Sequence, residues 1–211
     1  MMSRPPCLCR ICGFFFIRLL METERHPLQP FLPEHARMLM LGSFPPARKR
    51  WSMEFFYPNF QNDFWRIMGL CFFDDKNHFV DDEHHTFRLS LIRSFLTSHG
   101  IAIFDTAIEV IRLKNTASDK DLEVVTPTPL DELLDKLPEC AAIVTTGEKS
   151  TGLACSYFGL CEQPRVGSYS DFIRNGRHLR LYRMPSSSRA YPMKVERKAE
   201  RYKAMFENEG I

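Results

Sequence analysis

The sequence predicts an α/β fold in which helices cover both faces of a parallel sheet. Short segments rich in apolar residues, at residues 37–41, 101–104, 141–145 and 178–183, are typical of buried strands. Stretches with the apolar spacing of helices separate these segments. Strands that are apolar along their whole length are buried on both faces, which is typical of parallel sheets in α/β proteins.

The composition is that of an ordinary globular protein. The chain has 211 residues, of which 44% are hydrophobic and 26% charged, and a formal net charge of +2, which suits one domain with a single core. Seven cysteines are an odd number, which argues against a disulfide framework and for a reducing, cytoplasmic compartment. No segment approaches the roughly 20 apolar residues of a membrane span, so no membrane partner is expected.

The first 20 residues differ from the rest of the chain. They combine basic, cysteine and apolar residues but lack the small-residue cleavage site of a signal peptide. The spacing of Cys9 and Cys12 would suit zinc, but no second pair of ligands follows, so no metal is expected. We expect residues 1–20 to be a disordered leader or to precede the true start at Met21. Residues 21–211 are then expected to form a single domain.

Helices are predicted between the strands. The first begins near Asn62 and stops at Gly69, and the second covers residues 86–98 after a polar loop at residues 74–85. Asn175 and Gly176 form a strong hairpin-turn pair before the last strand. The remaining elements are a polar loop at residues 115–121 and helices at residues 129–137, 150–158 and 192–207.

Polar residues follow the ends of the predicted strands, at Ser43, at Asp105 and in the loop of residues 186–189. Ligands of open α/β sheets bind outside the carboxyl ends of the strands, so we expect these loops to border one cleft. None of them contains a Walker lysine or a Gly-x-Gly-x-x-Gly run, which argues against a nucleotide cofactor. The serines could bind phosphate at the start of the last helix, or they could only cap that helix.

Several segments resemble the uracil-DNA glycosylase superfamily. Residues 42–46, Gly-Ser-Phe-Pro-Pro, resemble its first motif, and residues 184–189, Met-Pro-Ser-Ser-Ser-Arg, resemble its second. Residues 55–69 are similar to the segment after the first motif in the mismatch-specific uracil and hypoxanthine-DNA glycosylase branches. Residues 100–107 and 117–120 resemble the family's second strand and the loop after it, in the family's order.

The resemblance implies a three-layer fold whose central sheet has four parallel strands, with helices on both faces. It also implies a monofunctional DNA glycosylase of base excision repair, in which a deaminated base, uracil or hypoxanthine, leaves the stack and enters a pocket. The N-glycosidic bond is then hydrolysed without metal or cofactor. The implied partner is DNA that contains a deaminated or mismatched base, and we expect a monomer.

The resemblance points to Asn62 and Asp105 as catalytic residues. Phe44 stands where the family usually has an Asp or Asn that positions water, and Asn62 matches an Asn on which the hypoxanthine branch depends instead. Asn62 could orient a water or cap its helix. An ionised Asp105 would accept the N–H of uracil N3 or hypoxanthine N1 and would repel the bare nitrogen of cytosine or adenine. Asp105 could alternatively cap a following helix.

The remaining site residues follow from the same resemblance. Ser43, Phe44, Phe56 and Asp105 are expected to bind the flipped base, with Phe56 or Phe55 stacking on it or packing in the core. Arg189 or Tyr191 would fill the gap that the base leaves. The residues expected to contact DNA are Ser118, Lys120, Ser186, Ser187, Ser188, Arg189 and Tyr191.

Two other functions remain open because the usual polar side chains are missing at Phe44 and at Met184, where the second motif often has His or Asn. One is a protein of the same fold that binds damaged or mismatched DNA without cutting it. The other is a nucleoside hydrolase for small substrates, which would not need the basic segment at residues 189–198.

Overall fold

The computed structural model describes residues 22–114 and 119–211. Strands and helices alternate through much of the chain, which confirms the α/β class. The helices are α1 (Phe64–Phe73), α2 (Leu89–Ser98), α3 (Leu130–Asp135), α4 (Glu148–Phe158) and α5 (Val195–Asn208). The strands are β1 (Thr23–Arg25), β2 (Met38–Gly42), β3 (Val80–Asp81), β4 (Thr86–Phe87), β5 (Ile101–Asp105), β6 (Ala107–Arg112), β7 (Leu122–Pro127), β8 (Ala142–Thr145), β9 (Ser168–Arg174) and β10 (Arg177–Arg183).

The central sheet has the strand order β5-β2-β8-β10-β9. Strands β5, β2, β8 and β10 run parallel, and β9 pairs antiparallel with β10 at one edge. Every residue of β2, β5 and β8 is buried, as their continuously apolar sequences predicted. The carboxyl ends of the parallel strands therefore meet at one edge of the sheet.

The prediction of a four-stranded, wholly parallel sheet needs correction, because the sheet has five strands and is mixed. The predicted hairpin turn is confirmed: Asn175 and Gly176 have φ angles of 51° and 75°, and Arg174 pairs with Arg177 across the turn. A two-residue hairpin joins antiparallel strands. The turn signal therefore already required the antiparallel neighbour that the four-strand prediction omitted.

A second, antiparallel sheet of β1, β6 and β7 was not predicted. Strand β6 follows β5 almost immediately and pairs with β7, and β1 pairs with the other edge of β6. The sheet buries a small apolar cluster that includes Phe44, Val110 and Leu122. The burial of β7 alternates only weakly along the strand, so its sequence lacks a clear two-residue period.

The predicted bounds of two helices were wrong. Helix α1 continues through Gly69 to Phe73 and ends at Asp74, whose φ is 51°. A Cβ on Gly69 would lie 2.3 Å from the carbonyl oxygen of Asp75, so this glycine permits the next loop to fold back against the helix. Residues 86–87 belong to strand β4, which pairs with β3, and helix α2 starts only at Leu89.

Helices α1 and α5 pack side by side, with the Cys71 thiol 3.4 Å from the carbonyl oxygen of Ala199. Helix α2 packs on β5, and α4 packs on β8 and β10. Within residues 22–114 and 119–211, none of the helices has the length and apolarity needed to cross a membrane.

Candidate functional site

The loops after β2, β5, β8 and β10 meet at one edge of the central sheet. The backbone N–H of Thr106 donates to the carbonyl oxygen of Gly42 at 2.9 Å, and the N–H of Thr146 donates to that of Leu41 at 3.1 Å. Ser186 lies beside Gly147, 3.7 Å from the position that a Cβ on this glycine would occupy. The structure therefore brings together the strand-end turns from which the sequence predicted a cleft.

Asp105 ends the edge strand β5, beside Gly42 of β2, and only 9% of its side chain is exposed. Its Oδ2 accepts a hydrogen bond from Nε2 of His26 at 2.9 Å. Its Oδ1 lies where a Cβ on Gly42 would approach to 2.2 Å, so only glycine leaves room for the carboxylate. Strand β6 follows Asp105 directly, which rules out the alternative that this side chain caps a following helix.

His26 is a site residue that sequence analysis missed. Its ring is 3% exposed and lies between Phe44 and Phe104, with centroid separations of 5.3 Å and 4.6 Å. Its Nδ1 lies 3.0 Å from the carbonyl oxygen and 3.2 Å from the backbone nitrogen of Leu28, and these contacts turn Nε2 toward Asp105. The sequence offers little sign of this role, because the strand before His26 has only three residues and is too short to show a periodic pattern.

A second carboxylate, Asp119, lies at the same edge. The Ser43 hydroxyl donates to its Oδ1 at 2.8 Å. Burial raises the pKa of Asp119 and the nearby charge of Asp105 raises it further, while the hydrogen bond from Ser43 opposes the rise. Sequence analysis had singled out the neighbours of Asp119 as DNA contacts: Lys120 is exposed in the turn Asp119–Asp121, and Ser118 lies outside the described residues.

Tyr57 is an aromatic side chain that contacts these loops. Its hydroxyl is 2.6 Å from Oγ1 of Thr146, and its ring stacks on Phe64 with the centroids 3.7 Å apart. Burial, followed by the charge of Asp105, raises the pKa of Tyr57 well above its ordinary value, so the phenol stays protonated. Its φ of 50° is unusual for a non-glycine residue, and the residue as a whole remains partly exposed.

Phe44 and Phe56, both predicted to bind the base, lie in packed clusters. Phe56 is 2% exposed and contacts Phe55 and Phe104, with centroids 5.1 Å and 6.0 Å away. This is the core position that the sequence left open as an alternative. Phe44 packs under the second sheet and meets the edge of the His26 ring.

Asn62 precedes Asp63, the N-cap residue of the first helix, and its side chain bonds to the start of that helix. Its Oδ1 accepts the backbone N–H of Phe64 at 2.8 Å, which satisfies one of the free donors at the start of α1. This contact is close to the capping role that the sequence left open for Asn62, and it uses one of the two lone pairs of the amide oxygen.

The predicted DNA-binding loop, residues 186–191, adjoins the start of α1. Its anchor is Ser187, which is buried and accepts the backbone N–H of Asp63 at 3.0 Å. The hydroxyl of Ser186 accepts the backbone N–H of Ser188 at 3.2 Å, and the hydroxyl of Ser188 accepts the backbone N–H of Ala190 at 3.3 Å. Ser188 and Arg189 are exposed and Tyr191 is partly exposed, so the tip of the loop faces outward.

A buried ion pair supports this loop. Lys198, which the sequence placed on a basic surface, is fully buried and donates to Oδ2 of Asp63 at 3.0 Å and to the carbonyl oxygen of Ser188 at 2.8 Å. Arg189 lies 3.5 Å from the other Asp63 oxygen. Asp63 and Lys198 therefore link the starts of two helices to the loop, a role that an isolated Asp and a helical Lys do not reveal in sequence.

No cluster of three or more His, Cys, Asp or Glu side chains suited to hold a metal ion occurs in the described part of the chain.

Comparison with known proteins finds solved structures that share the fold. Neither a protein-family model nor a curated protein matches the chain. The chain is similar to a solution NMR structure of a Methanosarcina acetivorans protein provisionally assigned as a uracil DNA glycosylase, with a TM-score of 0.58 at 19% identity. The match covers 90% of this chain and 100% of that one. The chain therefore shares its α/β fold with that protein.

Proposed function

We propose that the protein is a monofunctional DNA glycosylase that hydrolyses the N-glycosidic bond of a deaminated base. The observation that carries this proposal is the buried carboxylate of Asp105 at the ends of the parallel strands, oriented by His26 and accommodated by Gly42. The shared fold with a protein provisionally assigned as a uracil DNA glycosylase supports it.

Asp105 gives a physical basis for selecting deaminated bases. In this proposal Oδ2 keeps its hydrogen bond to His26, and the lone pairs of Oδ1, which lies against Gly42, meet the edge of a base. Uracil N3 and hypoxanthine N1 carry hydrogens that a carboxylate accepts, whereas the corresponding nitrogens of cytosine and adenine carry lone pairs. A buried carboxylate that faces a lone pair loses a hydrogen bond and gains repulsion, which disfavours the undamaged bases.

Asp119 is the group that we infer orients the attacking water. The hydrocarbon ring of Phe44 cannot hold a water, and the oxygen of Asn62 already accepts a hydrogen bond from the start of α1. The carboxylate of Asp119 is placed by Ser43 next to the turn that carries Gly42. In the reaction the water oxygen bonds to C1′, the C1′–N bond breaks with its electron pair on the base, and the proton of the water passes to Asp119.

Tyr57 takes the stacking role in this proposal. Its ring already stacks on Phe64 and the residue is partly exposed, whereas Phe56 is 2% exposed. A flipped base could therefore stack on Tyr57 without disturbing the core. The outward tip of the loop, Ser188 to Tyr191, would fill the gap in the duplex.

The test uses duplexes that carry one uracil or one hypoxanthine, with strand breaks measured after alkali. We expect breaks with the native protein and at least a hundredfold slower release with Asp105→Asn or Asp119→Asn. Asn62→Ala is expected to retain activity where its fold is intact. The matched control is Asp171→Asn, which neutralises a half-exposed carboxylate on the edge strand β9 and should not change the rate.

Three outcomes contradict parts of the proposal. Tight binding without breaks would identify a non-catalytic DNA-binding protein, which the buried apolar side chains of Phe44 and Met184 favour. Turnover of free uridine or inosine in place of DNA would identify a nucleoside hydrolase. Full activity in both carboxylate variants would show that the site lies elsewhere on the fold.

A further inference from the structure

We propose that a basic groove beside the loop of residues 186–191 binds the phosphates of a DNA strand. This inference rests on the proposed function for the identity of its ligand. The groove has a volume of about 630 Å³, which is larger than a single phosphate ion requires. Its charged lining residues are Asp63, Arg66, Lys76, Arg189, Lys194 and Glu196.

The charges of the groove favour a polyanion. Four of its lining side chains are cationic and two are acidic. Of the two acidic groups, Asp63 contacts both the buried Lys198 and Arg189, and four cations against two acids leave the lining with a net charge of +2. Burial lowers the pKa of Arg66 and the proximity of Arg189 lowers it further, although Asp63 and Asp82 oppose the shift. The two guanidinium groups therefore repel each other, and an anion between them would relieve that repulsion.

Arg66 is held in place for such contacts. Its Nη1 donates to the carbonyl oxygens of Phe60 and Asn62 at 2.8 Å and 3.2 Å, and its guanidinium lies 4.8 Å from the centre of the Phe60 ring. Because these contacts fix the planar group, little side-chain entropy remains to be lost when a phosphate binds.

The position of the groove indicates a strand of nucleic acid as the ligand. Arg189 belongs both to the groove and to the exposed tip of the loop. A strand whose flipped nucleotide lies at the loop would therefore continue past Arg189 toward Arg66 and Lys194. Arginine and lysine contacts to phosphate position a duplex without reading its sequence.

The experiment measures binding of an undamaged, fluorescently labelled duplex over a series of salt concentrations. The variants are Lys76→Gln, Lys194→Gln and the double variant, and both lysine side chains are exposed. The matched control is Lys136→Gln, which removes the same charge next to α3, near the amino ends of the strands. Each lost phosphate contact should lower the slope of log affinity against log salt by about 0.9, so the double variant should lose roughly 2.

An unchanged slope in the double variant, or an equal change in the control, would overturn the proposal that the groove binds phosphates. Displacement of the duplex by poly-glutamate at equal charge concentration would instead identify an acidic-peptide site. The result is separable from the glycosylase test because the duplex has no lesion. If lesion DNA is cut but the salt slopes of the lysine variants are unchanged, only the proposed role of the groove is rejected. If the lysine variants lower the salt slope but no base is released, only the proposed glycosylase activity is rejected.

Discussion

Replacing Lys198 by Met should destabilise the fold by about 3 kcal/mol. Lys198 is fully buried and its ammonium group contacts Asp63 Oδ2 at 3.0 Å, so the substitution leaves a nearly buried carboxylate without its main partner. Breaking a buried pair costs roughly 3–5 kcal/mol. The low end applies because Arg189 lies 3.5 Å from the other carboxylate oxygen. For a chain of this size that loss lowers the Tm by roughly 6–12 °C.

The assay is thermal unfolding followed by circular dichroism at pH 7. Arg197→Met is the matched control on the same helix, because Arg197 pairs with Glu200 at 2.7 Å while both side chains are more than half exposed. An exposed pair of this kind contributes about 0–1 kcal/mol. The double variant Lys198→Met with Asp63→Leu should recover most of the lost stability, since it leaves no unpaired charge. A loss below about 1 kcal/mol for Lys198→Met, or a double variant no more stable than the single, would refute the reasoning.

Three further outcomes are expected. Burial raises the pKa of Asp119 in the folded state above 3.8, so at a pH above this folded-state pKa the ionised carboxylate destabilises the fold. Asp119→Asn should therefore raise the Tm at pH 7, and this gain should shrink as the pH falls toward 4. Gly42→Ala would place a Cβ 2.2 Å from Oδ1 of Asp105, so alkali-revealed base release should fall more than tenfold while circular dichroism keeps the native spectrum. Burial raises the pKa of Cys140 to about 12, so peptide mapping after iodoacetamide should find the exposed Cys161 modified and Cys140 unmodified until denaturant is added.

The parallel part of the fold could be predicted from sequence because its signal is local. Strands β2, β5 and β8 are buried along their whole length, and runs of consecutive apolar residues predict this burial directly. Helix ends were harder to predict. Gly69 is typical of a helix end, yet here it accommodates the carbonyl group of Asp75, a contact that depends on how the next loop folds back.

The candidate site could be predicted only where it depends on position along a strand. Asp105 follows a buried strand, and parallel order brings it beside Gly42. The exposure of the aromatic side chains was not predictable in the same way. Phe55, Phe56 and Tyr57 are adjacent in sequence, and only the packing of the first two in the core leaves Tyr57 at the strand ends.

The sheet that sequence analysis missed supplies the side chains that complete the proposed site. His26 follows β1, whose pairing with β6 brings its Nε2 to Asp105. Asp119 lies in the connection between β6 and β7, which places its carboxylate at Ser43. The parallel strands alone would leave Asp105 without an orienting partner and the turn at Ser43 without a carboxylate. The antiparallel sheet therefore contributes to the proposed chemistry as well as to packing, because it adds polar groups from distant parts of the chain to strand ends that the central sheet has already aligned.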